Sequence, residues 1–480
     1  MSGIGLSVKK SENFSEWYTQ VILRAELADY APVKGCIVFR EYSYAIWEKI
    51  QEYFNRRIAE TGHKNVYFPM LIPERLLRKE AEHFKGFVPE CAWVTVGGDT
   101  VLKERLAIRP TSETIIYTMY KKWIRGWRDL PIKLNQWCNV VRWETKATKP
   151  FLRTREFLWQ EGHTAHATKE EADREVMEIL MIYKDLIENL LAIPVLVGRK
   201  SESEKFAGAY YTMTLEAVMP DGKALQMGTS HNLGQNFSKA FDIKYIGKDE
   251  KEHYVWTTSW GISTRLIGAV VMVHGDDKGL VLPPRVAPIQ AVIIPIFYKE
   301  VERTLILEKA REALKRLKEG GVSVLLDDRT EYTPGWKFNE WELRGVPVRV
   351  EIGPRDIKQK QFTLARRDTF ERVVVAEDEL VEAVKRLLED IQQNLFSRAK
   401  KFLEDHITTV TTYEEFKRVL REKGGFIRAG WCTDPECEMR IKDETGATIR
   451  LIPLEEEEPP SNCVYCGREA KVVAYFARAY

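Results

Sequence analysis

The chain has 480 residues, 44% of them hydrophobic and 30% charged, with 73 Lys and Arg set against 71 Asp and Glu. So even a balance excludes a protein that holds polyanions by bulk charge, and any nucleic-acid contact must come from local patches. No apolar run reaches the length of a membrane span and the N-terminus lacks a signal-peptide core, so membrane proteins are excluded and the cytoplasm is the expected compartment. The length suggests about three domains, and the seven cysteines, four of them clustered near the C-terminus, do not form a disulfide framework in so long a chain.

Residues 14–30 read as an amphipathic helix leading into Pro32. From Arg40 to Glu60 the apolar residues Tyr42, Ile46, Ile50, Phe54 and Ile58 recur near every fourth position, which predicts a long helix stopped by Gly62. A short β-rich run, NVYFPML, follows and is broken by Pro69. In AIRPTSE, Pro110 fixes a turn, and Thr111, Ser112 and Glu113 offer two hydroxyls and a carboxylate at a helix start; a plain helix cap fits that spacing equally well. KKWIRGWR at 121–128 reads as a helix with its tryptophans packed inside and its charges wet, contact with an RNA backbone being the other reading.

The central stretch runs from Arg142 to His163. VVRWE and FLWQEGHTA predict two strands joined by a basic loop, with Arg142 and Glu144 on one face. Arg142, Arg153 and Arg155 have few compensating carboxylates. Guanidinium groups on rigid strands beside a basic loop suit a polyphosphate, and Phe157, four residues after Arg153, adds a flat surface for a nucleobase. This is a nucleotide site without a P-loop; a solvated edge hairpin would explain the R-x-E alone. Lys169 to Leu191 is a periodic helix. Glu216 and Gln226 then lie on a hairpin about the Pro220-Asp221-Gly222 turn, with Gln226, Thr229 and His231 on a glycine-bearing strand end. WGISTR and the residues after it read as a glycine turn, a helix and a strand. The fifth residue of its G-x-S-x-R element is Arg265 and not another glycine, so no hydrolase-type serine is indicated.

Pro283-Pro284 marks a boundary, beyond which β-α-β-α-β alternation predicts an α/β unit with a parallel or mixed sheet. Lys337, Arg344, Arg349, Arg355, Lys358, Lys360, Arg366 and Arg367 give it a basic excess suited to phosphate contact. Near the C-terminus, Cys432 and Cys437 form C-x4-C, and Cys463 and Cys466 form C-x2-C, a set of four thiolates suited to a closed tetrahedral zinc site; EEEEPP between the pairs is a solvated loop.

The long helix before a proline-broken strand, the R-x-E, loop, R-x-x-x-F pattern and the G-x-S-x-R element resemble motifs 1, 2 and 3 of the class II aminoacyl-tRNA synthetases, in that family's order. RPTSE and the C-terminal cysteines followed by a terminal tyrosine are similar to the prolyl branch of that family, in its archaeal and eukaryotic-like form. The resemblance implies an α/β (α+β) fold in three parts. These are an antiparallel-sheet catalytic domain at 1–283, an α/β anticodon-binding domain at 284–400 and a small α+β zinc-binding domain at 401–480.

It also implies a ligase that joins proline to ATP and then to tRNA(Pro), working as a homodimer without a cis-editing insertion. Arg142 and Arg265 would be catalytic, Arg142 bridging the α-phosphate and the substrate carboxylate. ATP would meet Arg142, Glu144, Arg153, Thr154, Phe157, Gln226, Thr229, Ser263 and Arg265, and magnesium would meet Glu216. Proline would meet Thr111, Glu113, Arg142, Trp159, Glu161, His163, Phe206 and His231, and structural zinc the four cysteines. The competing readings are a threonyl sister enzyme, which would need a Cys/His/His set in its pocket, and a tRNA-binding paralogue that had lost a motif arginine.

Overall fold

The long β-rich runs in the middle of the chain build one antiparallel sheet. The computed structural model describes residues 5–83, 91–144, 147–297 and 300–480. Within them Leu196–Arg199, Tyr211–Val218, Ala224–Gly234, Trp256–Ser263, Glu156–His166 and Ile132–Val141 lie side by side in that order, all antiparallel. The short strand Lys64–Asn65 pairs in parallel at one edge. One face of this sheet is covered by the helices Glu41–Glu60 and Lys169–Asp185, with Arg265–His274 packed nearby. Tyr42, Ile46, Ile50, Phe54 and Ile58 are all buried, as their four-residue recurrence predicts, and they join Tyr183 and Trp260 in the main core.

Gly162 sits where the sheet meets this core. A Cβ added there would lie 2.1 Å from the Trp260 ring, and that ring is fixed edge-on against Phe54, His63 and Tyr183. Gly162→Ala is therefore expected to overpack the core by about 1–3 kcal/mol and to lower the melting temperature. An unchanged thermal melt would show that Trp260 can yield.

The middle unit is a five-stranded mixed sheet, as the alternation predicts. Val324–Leu326, Ala291–Pro295 and Val348–Ile352 are parallel, while Gln361–Arg366 and Arg372–Ala376 add antiparallel strands. The last four strands of the chain do not form a detached sheet. Thr448–Pro453 pairs with Leu196–Arg199 through Ile452 opposite Arg199 and Pro453 opposite Gly198, so the C-terminal strands extend the central sheet to eleven.

Several expectations are corrected. The first helix spans only Phe14–Arg24, because Glu26 takes a left-handed φ of 57° and Ala28–Tyr30 pairs with Ile37–Phe39. The helix from Glu113 ends at Trp123, which is 41% exposed, so 121–128 is not one helix with buried tryptophans. Trp256–Ser263 is a strand rather than a turn, and no strand follows the helix Arg265–His274 before Pro283. The helix expected from Lys169 to Leu191 is present, its regular part Lys169–Asp185 running on without a break into a wider helical turn over Leu186–Leu190.

The basic excess of the middle unit is largely neutralised within the protein. Lys337 pairs with Asp327, Arg344 with Glu26, Arg349 with Glu342 and Glu351, Arg366 with Asp368, and Arg367 with Asp276. Arg355, Lys358 and Lys360 stay exposed. Among the described residues, no helix is long and apolar enough to cross a membrane.

Candidate active site

The face of the sheet opposite the main core opens into a cleft of about 590 Å³. Its floor follows from strand periodicity. Phe157, Trp159, Glu161 and His163 alternate along Glu156–His166 and so share one face. Register then places Ser263, Gly261 and Ser259 opposite Trp159, Glu161 and His163 on the next strand. Beyond them Thr229 faces Gly261, His231 faces Ser259, and Thr212 faces His231. Gly261 has no side chain, which opens the floor between Glu161 and Thr229.

One wall is a buried carboxylate–histidine network. Thr111 donates to Glu113 and Ser112 to Glu161. Gln136 Nε2 donates to Glu161 Oε1 at 3.1 Å, and His163 Nε2 lies 3.0 Å from Glu161 Oε2. Burial raises the carboxyl of Glu113 above its ordinary range. Burial alone would lower His163, but the Glu161 carboxylate bonded to it, with Glu113 beside it, raises it. Burial likewise opposes the charge on Glu161, and the bonds from His163, Ser112 and Gln136 reverse that and hold it low. The network thus holds the Glu161 carboxylate paired with His163, beside a Glu113 carboxyl whose charge burial opposes, at the end of the cleft where the RPTSE turn arrives.

Away from this network the cleft turns cationic, beginning with Arg142, which stands near enough to feel Glu113 and Glu161. Arg142 lies over the Phe157 and Trp159 rings at 5.4 and 5.6 Å, and its Nε donates to the Pro110 carbonyl at 3.1 Å. Arg265, first residue of the helix Arg265–His274, reaches the Gln226 and Leu152 carbonyls at 3.4 Å. Burial pushes its guanidinium down to about 10, and the charges of Arg142 and Arg153 push the same way. His231 is lowered to about 3 by burial, then by His163. It is therefore neutral near pH 7, held between Thr212 at 2.8 Å and Thr229 at 3.1 Å, with the Phe206 ring tilted against it at 4.8 Å.

Thr111, Glu113, Arg142, Glu144, Phe157, Trp159, Glu161, His163, Phe206, Gln226, Thr229, His231, Ser263 and Arg265 all line this one cleft. Arg153 stands just outside the lining, its Nε 4.0 Å from Glu144 Oε2.

Two expected residues are corrected. The Thr154 hydroxyl is spent on the Glu156 carbonyl at 2.6 Å and is not on the cleft wall. Glu216 is wholly buried behind the wall, with Lys200 at 2.6 Å, Thr214 at 2.9 Å and Arg450 bonded through two nitrogens at 3.0–3.2 Å. A carboxylate whose oxygens already hold two cations is a poor magnesium ligand. Sequence reasoning missed Lys200, Glu204, Thr212 and Ser259, all on the lining. Lys200 immediately precedes SESEKF and Glu204 lies within it, a polar stretch that reads as a loop, whereas Thr212 and Ser259 stand directly opposite His231 and His163 on the paired strands.

Comparison with known proteins agrees with this geometry. Residues 95–274 match the class II tRNA synthetase core domain (G, H, P, S and T), and residues 290–387 match the anticodon binding domain. Residues 413–480 match the C-terminal domain of prolyl-tRNA synthetase. Over 473 residues the chain is 56% identical to the proline–tRNA ligase of Natranaerobius thermophilus, covering 98% of this chain and 97% of that one. It is 57% identical to the proline–tRNA ligase of Alkaliphilus oremlandii, over 98% and 96% of the two chains. It is 52% identical to that of Cenarchaeum symbiosum, over 99% and 100%.

The chain belongs to the prolyl-tRNA synthetase family.

Outside the cleft, the chain carries a second chemical centre. The ligand atoms of Cys432, Cys437, Cys463 and Cys466 all lie within 4.8 Å of one another, with Cys432 Sγ 3.7 Å from both Cys437 and Cys466. Zinc bound tetrahedrally with Zn–S of about 2.3 Å requires sulfurs roughly 3.8 Å apart, so the quartet fits the ion. Among the described residues this is the only cluster of three or more His, Cys, Asp or Glu groups that could hold a metal.

Proposed function

We propose that the cleft activates L-proline with ATP and passes the prolyl group to tRNA(Pro). The observation that carries this reading is the polarity of the one cavity: a buried Glu113–Glu161–His163 network with Thr111, and converging guanidiniums away from it. The substrate has the complementary polarity, a triphosphate joined at the reaction centre to a secondary ammonium ion.

In this reading the proline carboxylate attacks the α-phosphorus of ATP in line. The P–O bond to pyrophosphate breaks, and prolyl-adenylate remains. The terminal ribose hydroxyl of the tRNA then attacks the prolyl carbonyl and AMP leaves. Such chemistry calls for positioning and charge neutralisation rather than a protein nucleophile. Arg142, braced on the Pro110 carbonyl and the two rings, is the group to neutralise charge at the α-phosphate and orient the carboxylate. Arg265 and Arg153 take the outer phosphates, and Phe157 offers the adenine a face. Glu144, Gln226, Thr229 and Ser263 complete the nucleotide end. Thr111 and Glu113 accept the proline nitrogen, while Trp159, Glu161, His163, Phe206 and His231 enclose its ring. Magnesium, bound with the ATP phosphates, would add to this charge neutralisation.

The zinc held by the four cysteines has a structural role in this proposal, because four sulfurs leave no open coordination position. Seven cysteines in a chain of this length, four of them gathered at one metal-holding cluster, suit a reducing compartment such as the cytoplasm. Apolar Tyr67, Met70 and Leu71, exposed beyond the long helix, suit burial in a homodimer. The described elements between the second and third motifs belong to the core sheet, the helices on it and one small hairpin, which supports the reading that no editing domain is inserted.

Exchange of labelled pyrophosphate into ATP tests the reading directly: exchange should require proline. Exchange with threonine alone would favour the sister enzyme, and none with any amino acid would favour a non-catalytic paralogue.

The Glu113 carboxyl, raised by burial, also sets a pH dependence. Its charged, proline-accepting form is present at high pH and is lost on acidification at a higher pH than for a free glutamate. The kcat/KM for proline should therefore fall with an acid limb above the ordinary value of 4.5. Glu113→Gln should remove that limb and raise the KM for proline by about tenfold or more, the equivalent of a charge-assisted hydrogen bond of ~1.5–3 kcal/mol. An unaltered limb in the variant would assign it elsewhere.

A further inference from the structure

Behind the cleft wall lies a buried ionic triad whose members come from three strand regions. Glu216, wholly buried on Tyr211–Val218, accepts from Lys200 Nζ at 2.6 Å and from Arg450 at 3.0–3.2 Å. Lys200 is 4% exposed and lines the cleft; Arg450 is 7% exposed and does not. Arg450 belongs to Thr448–Pro453, in the segment that matches the C-terminal domain, 234 residues after Glu216.

The same C-terminal strand fixes Lys200 a second way. It pairs with Leu196–Arg199 up to Arg199, the residue immediately before Lys200. A third tie follows at once, since Ser201 donates to the buried Glu438 at 2.6 Å, next to Cys437 on the helix Pro435–Thr445. A carboxylate paired with a single lysine would pin that ammonium and cancel its charge. With Arg450 taking both carboxylate oxygens, the triad keeps one net positive charge beside the cleft. Arg265 is close enough to feel both Glu216 and Arg450.

We infer that Arg450 is a positioning residue for the activation step: by holding Glu216 it sets the place and effective charge of Lys200 in the cleft, so that the C-terminal module completes the active site. This rests on the activity proposed above. A wild-type chain without proline-dependent pyrophosphate exchange would refute that activity, whereas an active wild type with indifferent variants would refute only this inference.

Arg450→Met, Arg450→Lys, Lys200→Met and the double variant Lys200→Met/Arg450→Met should be compared in pyrophosphate exchange, below the melting temperature of each. Arg450→Met is expected to lower kcat at least tenfold with the KM for proline within about twofold, and Arg450→Lys to recover most of the loss. The double variant should be no slower than Lys200→Met alone, since Arg450 acts through Lys200. Losses that multiply in the double variant, or a kcat unchanged in Arg450→Met, would overturn the inference. Should Arg450→Met fail to fold, the decision passes to Lys200→Met and Arg450→Lys. A kcat unchanged in Lys200→Met would then overturn it, and a loss of at least tenfold there with near-wild-type kcat in Arg450→Lys would sustain it.

Discussion

Arg265→Ala should lower proline-dependent pyrophosphate exchange by about 10³-fold while leaving the melting temperature unchanged or slightly higher. The two halves of that expectation share one cause. Arg265 sits among Arg142 and Arg153, and burial together with those like charges holds its guanidinium down to about 10. The hydrogen bonds of its guanidinium are long, to carbonyls at 3.4 Å, and among the described residues no carboxylate bonds it directly. The empty cleft therefore carries electrostatic repulsion that a triphosphate relieves, and removing one arginine relieves it without substrate.

Arg142→Lys should be nearly as damaging despite conserving charge. An ammonium cannot both donate to the Pro110 carbonyl and lie flat against Phe157 and Trp159 while offering a second edge to a phosphate. Steady-state exchange with parallel thermal melts reads both effects. A large fall in melting temperature in Arg265→Ala would mean that the arginine cluster is a structural element and that the charge argument is misplaced.

How legible this site was in the sequence depends on the distance over which each side chain finds its partners. Phe157, Trp159, Glu161 and His163 were legible because strand periodicity is local: once the run is extended, the four must share a face. The helix Glu41–Glu60 was legible for the same reason at a different period. Thr154 and Glu216 were misread because their partners decide their roles. Thr154 turns onto a carbonyl two residues on, and Glu216 is claimed by an arginine brought in by the last part of the chain.

Basic residues of the middle unit likewise have partners that spacing alone does not show. Arg344 finds Glu26 and Arg367 finds Asp276, pairings that only the docking of the units creates. Residue type and spacing report which chemistry is available, while tertiary neighbours decide whether it is free. The strand Ala28–Tyr30 was hidden in a helical pattern because one left-handed residue, Glu26, breaks the helix without any glycine or proline to announce it.

Removal of the zinc is expected to have the largest effect on the fold. The native chain should carry about one zinc ion, and Cys463→Ser or thiol modification with chelation should release it, melt the C-terminal module at far lower temperature and reduce pyrophosphate exchange together with it. Apparent zinc-binding energies in small modules are about 10–16 kcal/mol near pH 7, more than the ~5–15 kcal/mol by which a whole domain is usually stable. Here the ligands are not peripheral. Cys432, Cys437 and Cys463 are part of the hydrophobic core formed with Phe416, Trp431 and Phe476. Losing the ion would leave buried thiols facing one another where four bonds had fixed the two halves of the module.

The effect should reach the cleft because the module's strand continues the catalytic sheet at Arg199, and its buried Glu438 and Arg450 bond to Ser201 and Glu216. Metal content by atomic absorption, read beside melting curves and exchange rates on the same samples, decides it. A metal-free chain that melted at the native temperature would mean that packing alone holds the module. A melted module with undiminished exchange would mean that the sheet extension carries no information to the active site.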